Sequence, residues 1–69
     1  MLPIKKTVKQ IEELLVKVSS KTLPKNKKDE LETLLLNLKA FLKNTKADEN
    51  RKAEIILRLP LLALTIRKA

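Results

Sequence analysis

The chain has 69 residues, a formal net charge of +8, a single aromatic residue, Phe41, and no Gly, Cys or His. Without Cys the chain cannot form a disulfide, and without Cys and His it lacks the usual zinc ligands. Without Gly it cannot form the glycine-rich loops in which the backbone approaches a phosphate closely. Leu, Lys, Glu and Ala dominate, which is typical of helices, so we predict an all-α protein, a small three-helix bundle forming one domain over residues 1–69.

The first segment has apolar residues spaced by four, three, four and three positions, the pattern of a helix that packs along one side. These residues are Ile4, Val8, Ile11, Leu15 and Val18. Pro3 suits the first turn of a helix, where its missing N–H needs no partner. Ser19 and Ser20 begin a polar stretch, and Pro24 disfavours helical geometry at the residue before it. We predict helix 1 at about residues 3–19.

The second segment opens with Asn26, a residue type that caps helix N-termini. Asp29 and Glu30 would then lie in the first turn, where carboxylates interact favourably with the positive end of the helix dipole. An apolar stripe follows at helical spacing: Leu31, Leu34, Leu35, Leu38, Phe41 and Leu42. Lys43 is favourable in the last turn for the converse reason. We predict helix 2 at about residues 27–43.

The third segment has two candidate N-caps, Thr45 and Asp48, and we predict helix 3 at about residues 47–67. Pro60 lies inside this segment and removes the backbone hydrogen bond to the carbonyl of Ile56. The helix is therefore either kinked at Pro60 or broken near it, with a second short helix following. We favour the kink because the apolar spacing continues in register across Pro60.

The apolar residues of helix 3 cover most of its circumference, which predicts burial on more than one side. One row can face the other two helices: Ile55, Leu59, Leu62 and Ile66. A second row, Leu57, Leu61 and Leu64, lies off that line. Either helices 1 and 2 cover both rows, or the second row binds a partner, because a wide exposed apolar surface on a small protein marks an interaction site. We take Leu57, Leu61 and Leu64 as the candidate protein interface.

The basic residues give an alternative hypothesis, a small nucleic-acid-binding protein. Eight Lys and two Glu give residues 1–28 a net charge of +6, and five basic groups and one Glu give residues 51–69 a net charge of +4. The candidate polyanion contacts flank the connection between helices 1 and 2: Lys21, Lys25, Lys27 and Lys28. Clustered Lys binds phosphate backbones without sequence preference. Sequence-specific binding is not favoured, since Arg is scarce and aromatic residues for base stacking are almost absent.

A helix-turn-helix motif in the first two helices is not favoured either. The predicted connection of about seven residues is longer than the usual three or four.

Catalytic and metal-binding groups are sparse. His, Cys and Tyr are absent, and Ser19 and Ser20 have no imidazole to activate them. Asp29, Glu30 and Glu32 point in different directions around a helix, so we assign them to the helix dipole rather than to a metal site. We therefore expect a protein that is not an enzyme and that has no cofactor, no metal and no small-molecule substrate.

A third hypothesis is a peripheral peptide on a membrane surface, because helix 1 is basic and amphipathic. It is the least favoured, since helix 1 has no Trp or Phe anchor. The longest apolar-rich stretch, residues 55–66, is shorter than the roughly 20 residues that span a bilayer, so we expect a soluble chain. The lack of Cys fits a reducing, cytoplasmic location. The leading hypothesis is a helical interaction module that forms a homo-oligomer or docks helix 3 onto a protein partner.

Overall fold

Three helices make up the computed structural model, which describes residues 2–68: α1, Ile4–Ser20; α2, Lys25–Lys43; and α3, Glu49–Lys68. No strand is present within these residues. The predicted all-α three-helix bundle is therefore confirmed, and each helix boundary lies within two residues of its predicted position.

α1 begins at Ile4, directly after Pro3, as the sequence predicts. The carbonyl of Pro3 accepts two hydrogen bonds from Thr7, one from its backbone N–H at 3.0 Å and one from its hydroxyl at 2.8 Å. The core face of α1 differs from the predicted one at two places. Near its start Thr7 is buried and Ile4 is only partly buried. Farther along, Leu14 is buried and Leu15 is only partly buried. Both residues lie within about 60° of Ile11 around the helix axis, and α1 packs against two neighbours, so its apolar face is wide enough to use both.

α2 begins at Lys25, which makes the prediction of Asn26 as the N-cap wrong. The backbone of Pro24 is extended, and its carbonyl accepts the N–H of Lys28 at 3.0 Å, so the helical hydrogen bonds start at Pro24 without a side-chain cap. Asn26 lies inside the first turn, and its Oδ1 accepts the N–H of Lys27 at 3.0 Å. Asp29 and Glu30 consequently lie beyond the first turn, which contains no acidic residue.

The connection between α1 and α2 has four residues, 21–24, and not the predicted seven or so. Two contacts show that the helices run antiparallel side by side: Lys28 Nζ donates to the Ser19 carbonyl at 3.1 Å, and Lys39 Nζ lies 3.7 Å from Glu12 Oε2. These contacts are separated by about 10 Å along α1. The pair is therefore an αα-hairpin, which differs from the wide crossing of a helix-turn-helix.

α3 is capped by Asp48, one of the two predicted N-caps, whose Oδ1 accepts the N–H of Asn50 at 2.8 Å. The helix then continues to Lys68 with Pro60 inside it, so of the two alternatives at Pro60 the broken helix is wrong. At its C-terminus the carbonyl of Arg67 accepts a hydrogen bond from Lys21 Nζ at 3.4 Å. The ends of α1 and α3 thus lie together, and the three helices alternate up, down and up.

The core is small and lies between the three helices. Its buried apolar residues are Val8, Ile11, Leu14 and Val18 of α1, Leu35 and Leu42 of α2, and Leu59 and Ile66 of α3. Leu34, which the sequence places in the apolar stripe of α2, is 42% exposed. Lys52 is 3% exposed and lies seven residues before Leu59, on the same side of α3. A long alkyl stem can cover apolar neighbours in this way.

Candidate protein interface on α3

The two apolar rows of α3 lie on nearly opposite sides of the helix. Leu59 and Ile66 are 3% and 1% exposed, and Ile55 and Leu62 pack against the core, as predicted for the first row. A helix turns about 100° per residue, so Leu57 lies about 160° around the axis from Leu59. α1 and α2 therefore cover only the first row.

The second row is open to solvent. Leu57, Leu61 and Leu64 are 78%, 67% and 50% exposed, and we call these three residues the outer stripe. They follow one another at four and three positions, so they form one continuous line about 10 Å long. The hypothesis that helices 1 and 2 cover both rows is wrong, whereas the role of the outer stripe as an interface stays a prediction.

Within residues 2–68, the other exposed large apolar residues do not form a comparable line. Val16 of α1 and Leu34 and Leu36 of α2 are 69%, 42% and 52% exposed. Leu34 and Leu36 are two residues apart and therefore lie on different sides of α2. Single exposed apolar side chains of this kind are ordinary on protein surfaces. The outer stripe differs because its three exposed leucines follow one another along the same side of one helix.

A groove between α1 and α3 adjoins the outer stripe. It has a volume of about 400 Å³ and is lined by Leu14 and Gln10 of α1 and by Pro60, Leu61 and Leu64 of α3. Leu61 and Leu64 thus belong both to the outer stripe and to the wall of this groove. Apolar surface is continuous from the outer side of α3 towards α1.

The opposite flank of the outer stripe is polar. Arg58 and Glu54 form an ion pair at 3.1 Å, one helical turn apart, and both side chains are largely exposed. They border a second groove of about 520 Å³ between α2 and α3, whose apolar lining includes Phe41 and Leu38. The ion pair therefore separates this second groove from the outer stripe, whereas among the residues that the structure describes no ion pair separates the stripe from the α1–α3 groove.

The four candidate polyanion contacts lie at one end of the bundle, where the end of α1, the start of α2 and the end of α3 meet. Lys21 and Lys28 are partly buried, and their ammonium groups bind the carbonyls of Arg67 and Ser19. Lys25 and Lys27 are exposed. The first two lysines therefore bind helix C-termini, where positive charge is favourable, and the last two carry most of the charge that a polyanion would meet.

The structure adds two basic residues that sequence reasoning missed at this end, Arg67 and Lys68. Both are exposed in the last turn of α3. They are about forty residues from Lys25 in the chain, so only the parallel arrangement of α1 and α3 brings them near it. That α3 pairs with α1 in this direction is not visible in any local pattern.

Residues 2–68 contain no group of three or more acidic residues arranged to hold a metal ion. In the same range, no helix combines the length and apolarity needed to cross a lipid bilayer.

Comparisons with protein-family models, with curated proteins and with solved structures found no match for this chain.

Proposed function

We propose that this protein is a non-catalytic helical interaction module that docks the outer stripe of α3 onto a protein, either a partner or a second copy of itself. The supporting observation is a continuous row of three leucines, 50–78% exposed, on a helix whose opposite side forms part of the core. Exposed apolar rows of this kind are the anchors with which helices dock against other helices.

The binding free energy that the outer stripe could contribute can be estimated from the apolar surface that a partner would cover. The exposed fractions of Leu57, Leu61 and Leu64 together equal about two whole leucine side chains. Covering them fully would contribute about 3 to 6 kcal/mol, since burying one leucine contributes about 1.5 to 3 kcal/mol. Association loses roughly 4 kcal/mol or more in translational and rotational freedom. The outer stripe alone therefore supports weak binding, and firm binding needs further contacts beside it.

The test replaces two of the three leucines by charged residues. Leu57→Lys with Leu61→Lys should abolish association, measured by light scattering after size exclusion for the protein alone and after mixing with a leucine-faced helical peptide. Far-UV circular dichroism should show the helical signal largely kept, because both side chains are exposed and Lys is as good a helix former as Leu.

A matched control places the same charges elsewhere. Val16→Lys with Leu36→Lys changes two exposed apolar residues on α1 and α2 and should leave association intact. The proposal is wrong if the parent protein forms no complex with itself or with the peptide, or if both variants lose the complex equally. It is also wrong if Leu57→Lys with Leu61→Lys unfolds the chain, because that would show both rows to be internal.

The alternative function is binding of nucleic acid at the basic end of the bundle. Lys25 and Lys27 from α2 and Arg67 and Lys68 from α3 are exposed there, which supports it. Lys25→Ala with Lys27→Ala should weaken DNA affinity and reduce the slope of log K against log salt by about 1.8, or 0.9 for each lost phosphate contact. Unchanged binding at moderate salt, or no binding by the parent protein, would contradict this alternative.

A further inference from the structure

The part of α1 beside the outer stripe is positively charged. On α1, Gln10 and Leu14 line the α1–α3 groove, and residues four and three positions further along a helix continue the same row. Lys17 and Lys21 are these next residues. Lys17 is exposed, and Lys21 is held at the α3 end by its hydrogen bond to the Arg67 carbonyl at 3.4 Å.

α3 supplies positive charge to the same side. Arg67 lines the α1–α3 groove, and Lys68, four residues beyond Leu64, is exposed at the end of the outer stripe. The acidic residue of α3 that borders the outer stripe, Glu54, lies on the other flank and is paired with Arg58 at 3.1 Å. On α1, Glu13 precedes Lys17 by one turn, and Lys17, Lys21 and Glu13 all lie beside the groove rather than in its lining.

The apolar surface is thus bordered by positive charge on both flanks, with more of it on the α1 side. On the α2 side Arg51 and Arg58 line the groove with Glu54, which leaves one positive charge in excess. On the α1 side Lys17, Lys21 and Arg67 stand against Glu13, which leaves two. A molecule that binds the outer stripe and reaches into the α1–α3 groove meets the more basic flank. Complementary charge at the border of an interface speeds association and suppresses wrong partners.

A second copy of the chain does not fit this surface well. Each copy carries a net charge of +8, and its own outer stripe is bordered by the same basic residues. Like charges brought together across an interface are unfavourable. A helix that carries leucines on one face and carboxylates beside them satisfies both the apolar row and the basic border.

We infer that the partner of this protein is an acidic amphipathic helix of another protein, which lies along the outer stripe with its acidic side towards Lys17 and Arg67. This inference rests on the proposed function and adds the chemistry of the partner. The outer stripe extends about 10 Å, which matches two turns of a partner helix that presents apolar residues at i, i+3 or i+4, and i+7.

The test uses two synthetic helical peptides of about 20 residues, or five turns, as probes. Both carry the same row of leucines; one has Glu and the other Lys at every position beside that row. Binding is measured by fluorescence anisotropy at low and moderate salt. The acidic peptide should bind about tenfold more tightly or better, a difference of about 1.4 kcal/mol, and the preference should weaken as salt rises.

Three variants locate the binding. Leu57→Gln with Leu61→Gln keeps the net charge and should abolish binding of the acidic peptide. Lys17→Glu with Arg67→Glu should remove the preference for it. Lys5→Glu with Lys43→Glu makes the same change in net charge at exposed positions on the α1–α2 side, and should leave the preference in place with a loss of at most about threefold.

The possible contrary results distinguish failure of the acidic-partner inference from failure of the proposed function. Equal binding of both peptides through the outer stripe would overturn the acidic partner while the proposed function stands. Acidic-peptide binding that survives Leu57→Gln with Leu61→Gln would overturn both. A protein that dimerises alone through the outer stripe and ignores the peptides would overturn the inference in favour of a second copy. Sedimentation with phosphatidylserine vesicles that requires Leu57 and Leu61, without peptide binding, would overturn it in favour of a membrane surface.

Discussion

The two sides of α3 can be distinguished by one pair of substitutions two residues apart, Leu59→Ala and Leu57→Ala. The two changes remove the same atoms from the same helix, and both replace Leu by the best helix former. Leu59 is 3% exposed and Leu57 is 78% exposed. A difference between the variants therefore reports burial and not helix propensity.

The expected magnitudes follow from the surroundings of each residue. A buried Leu→Ala change costs about 2 to 5 kcal/mol, depending on how large a cavity remains. Leu59 lines both the α1–α3 and the α2–α3 grooves, so the space left behind opens to solvent, and we expect about 2 to 3 kcal/mol. Leu57 has only about a fifth of its surface covered, so we expect a change within about 0.5 kcal/mol.

Urea denaturation followed by far-UV circular dichroism measures both values. At roughly 0.05 to 0.15 kcal/mol per residue the parent chain should have a free energy of unfolding of about 3 to 10 kcal/mol, so the loss in Leu59→Ala will be a large fraction of it. The m-values of parent and variants should agree if the transition stays two-state. Equal losses in the two variants, or a larger loss in Leu57→Ala, would refute the assignment of the two faces.

Three further changes test the local structure of α3 by the same denaturation measurement. Asp48→Ala removes the acceptor of the Asn50 N–H and should cost about 0.5 to 2 kcal/mol; no loss would show that the cap is not formed in solution. Pro60→Ala restores the missing hydrogen bond to the carbonyl of Ile56 and should stabilise the chain, by up to about 3 kcal/mol; destabilisation would contradict a continuous helix. Lys52→Ala should cost about 1 kcal/mol or more while Lys52→Met costs less than half as much, since the alkyl stem does the packing; equal costs would assign the effect to the charge.

The division of α3 into two faces could be predicted because helical spacing places residues directly. Leu59 and Ile66 lie in one row and Leu57, Leu61 and Leu64 in another, wherever the helix begins or ends. In the structure the first row is buried and the second is exposed. The Asp48 cap is local in the same sense, since its acceptor and the Asn50 N–H are two residues apart.

The start of α2 and the choice of buried residues in α1 and α3 could not be predicted, because neighbouring residues favour different outcomes there. Asn26 is a good capping residue, but the fixed geometry of Pro24 allows its carbonyl to start α2 earlier, which shortens the connection to four residues. Leu14 and Leu15 are both compatible with the apolar face of α1, and only the position of α3 decides that Leu14 is buried. Lys52 shows the same limit, because its spacing puts it in the core row although its charge suggests exposure.

The basic border of the candidate interface could not be predicted because it is a tertiary property. Lys17 and Arg67 are fifty residues apart in the sequence, and they border the same surface because α1 and α3 run parallel. The shared apolar core holds α1 and α3 in this arrangement, and the hydrogen bond from Lys21 to the Arg67 carbonyl is one contact within it. Sequence spacing gave no reason to pair these residues.

The most direct measurement of where the partner binds is methyl NMR of the leucine-labelled protein during titration with the acidic leucine-faced peptide. Methyl signals of Leu57, Leu61 and Leu64 should shift progressively and saturate, while those of Leu36 on α2 and of the buried Leu42 stay in place. Saturating shifts confined to leucines of α2, or shifts of equal size throughout the protein, would contradict docking on the outer stripe of α3.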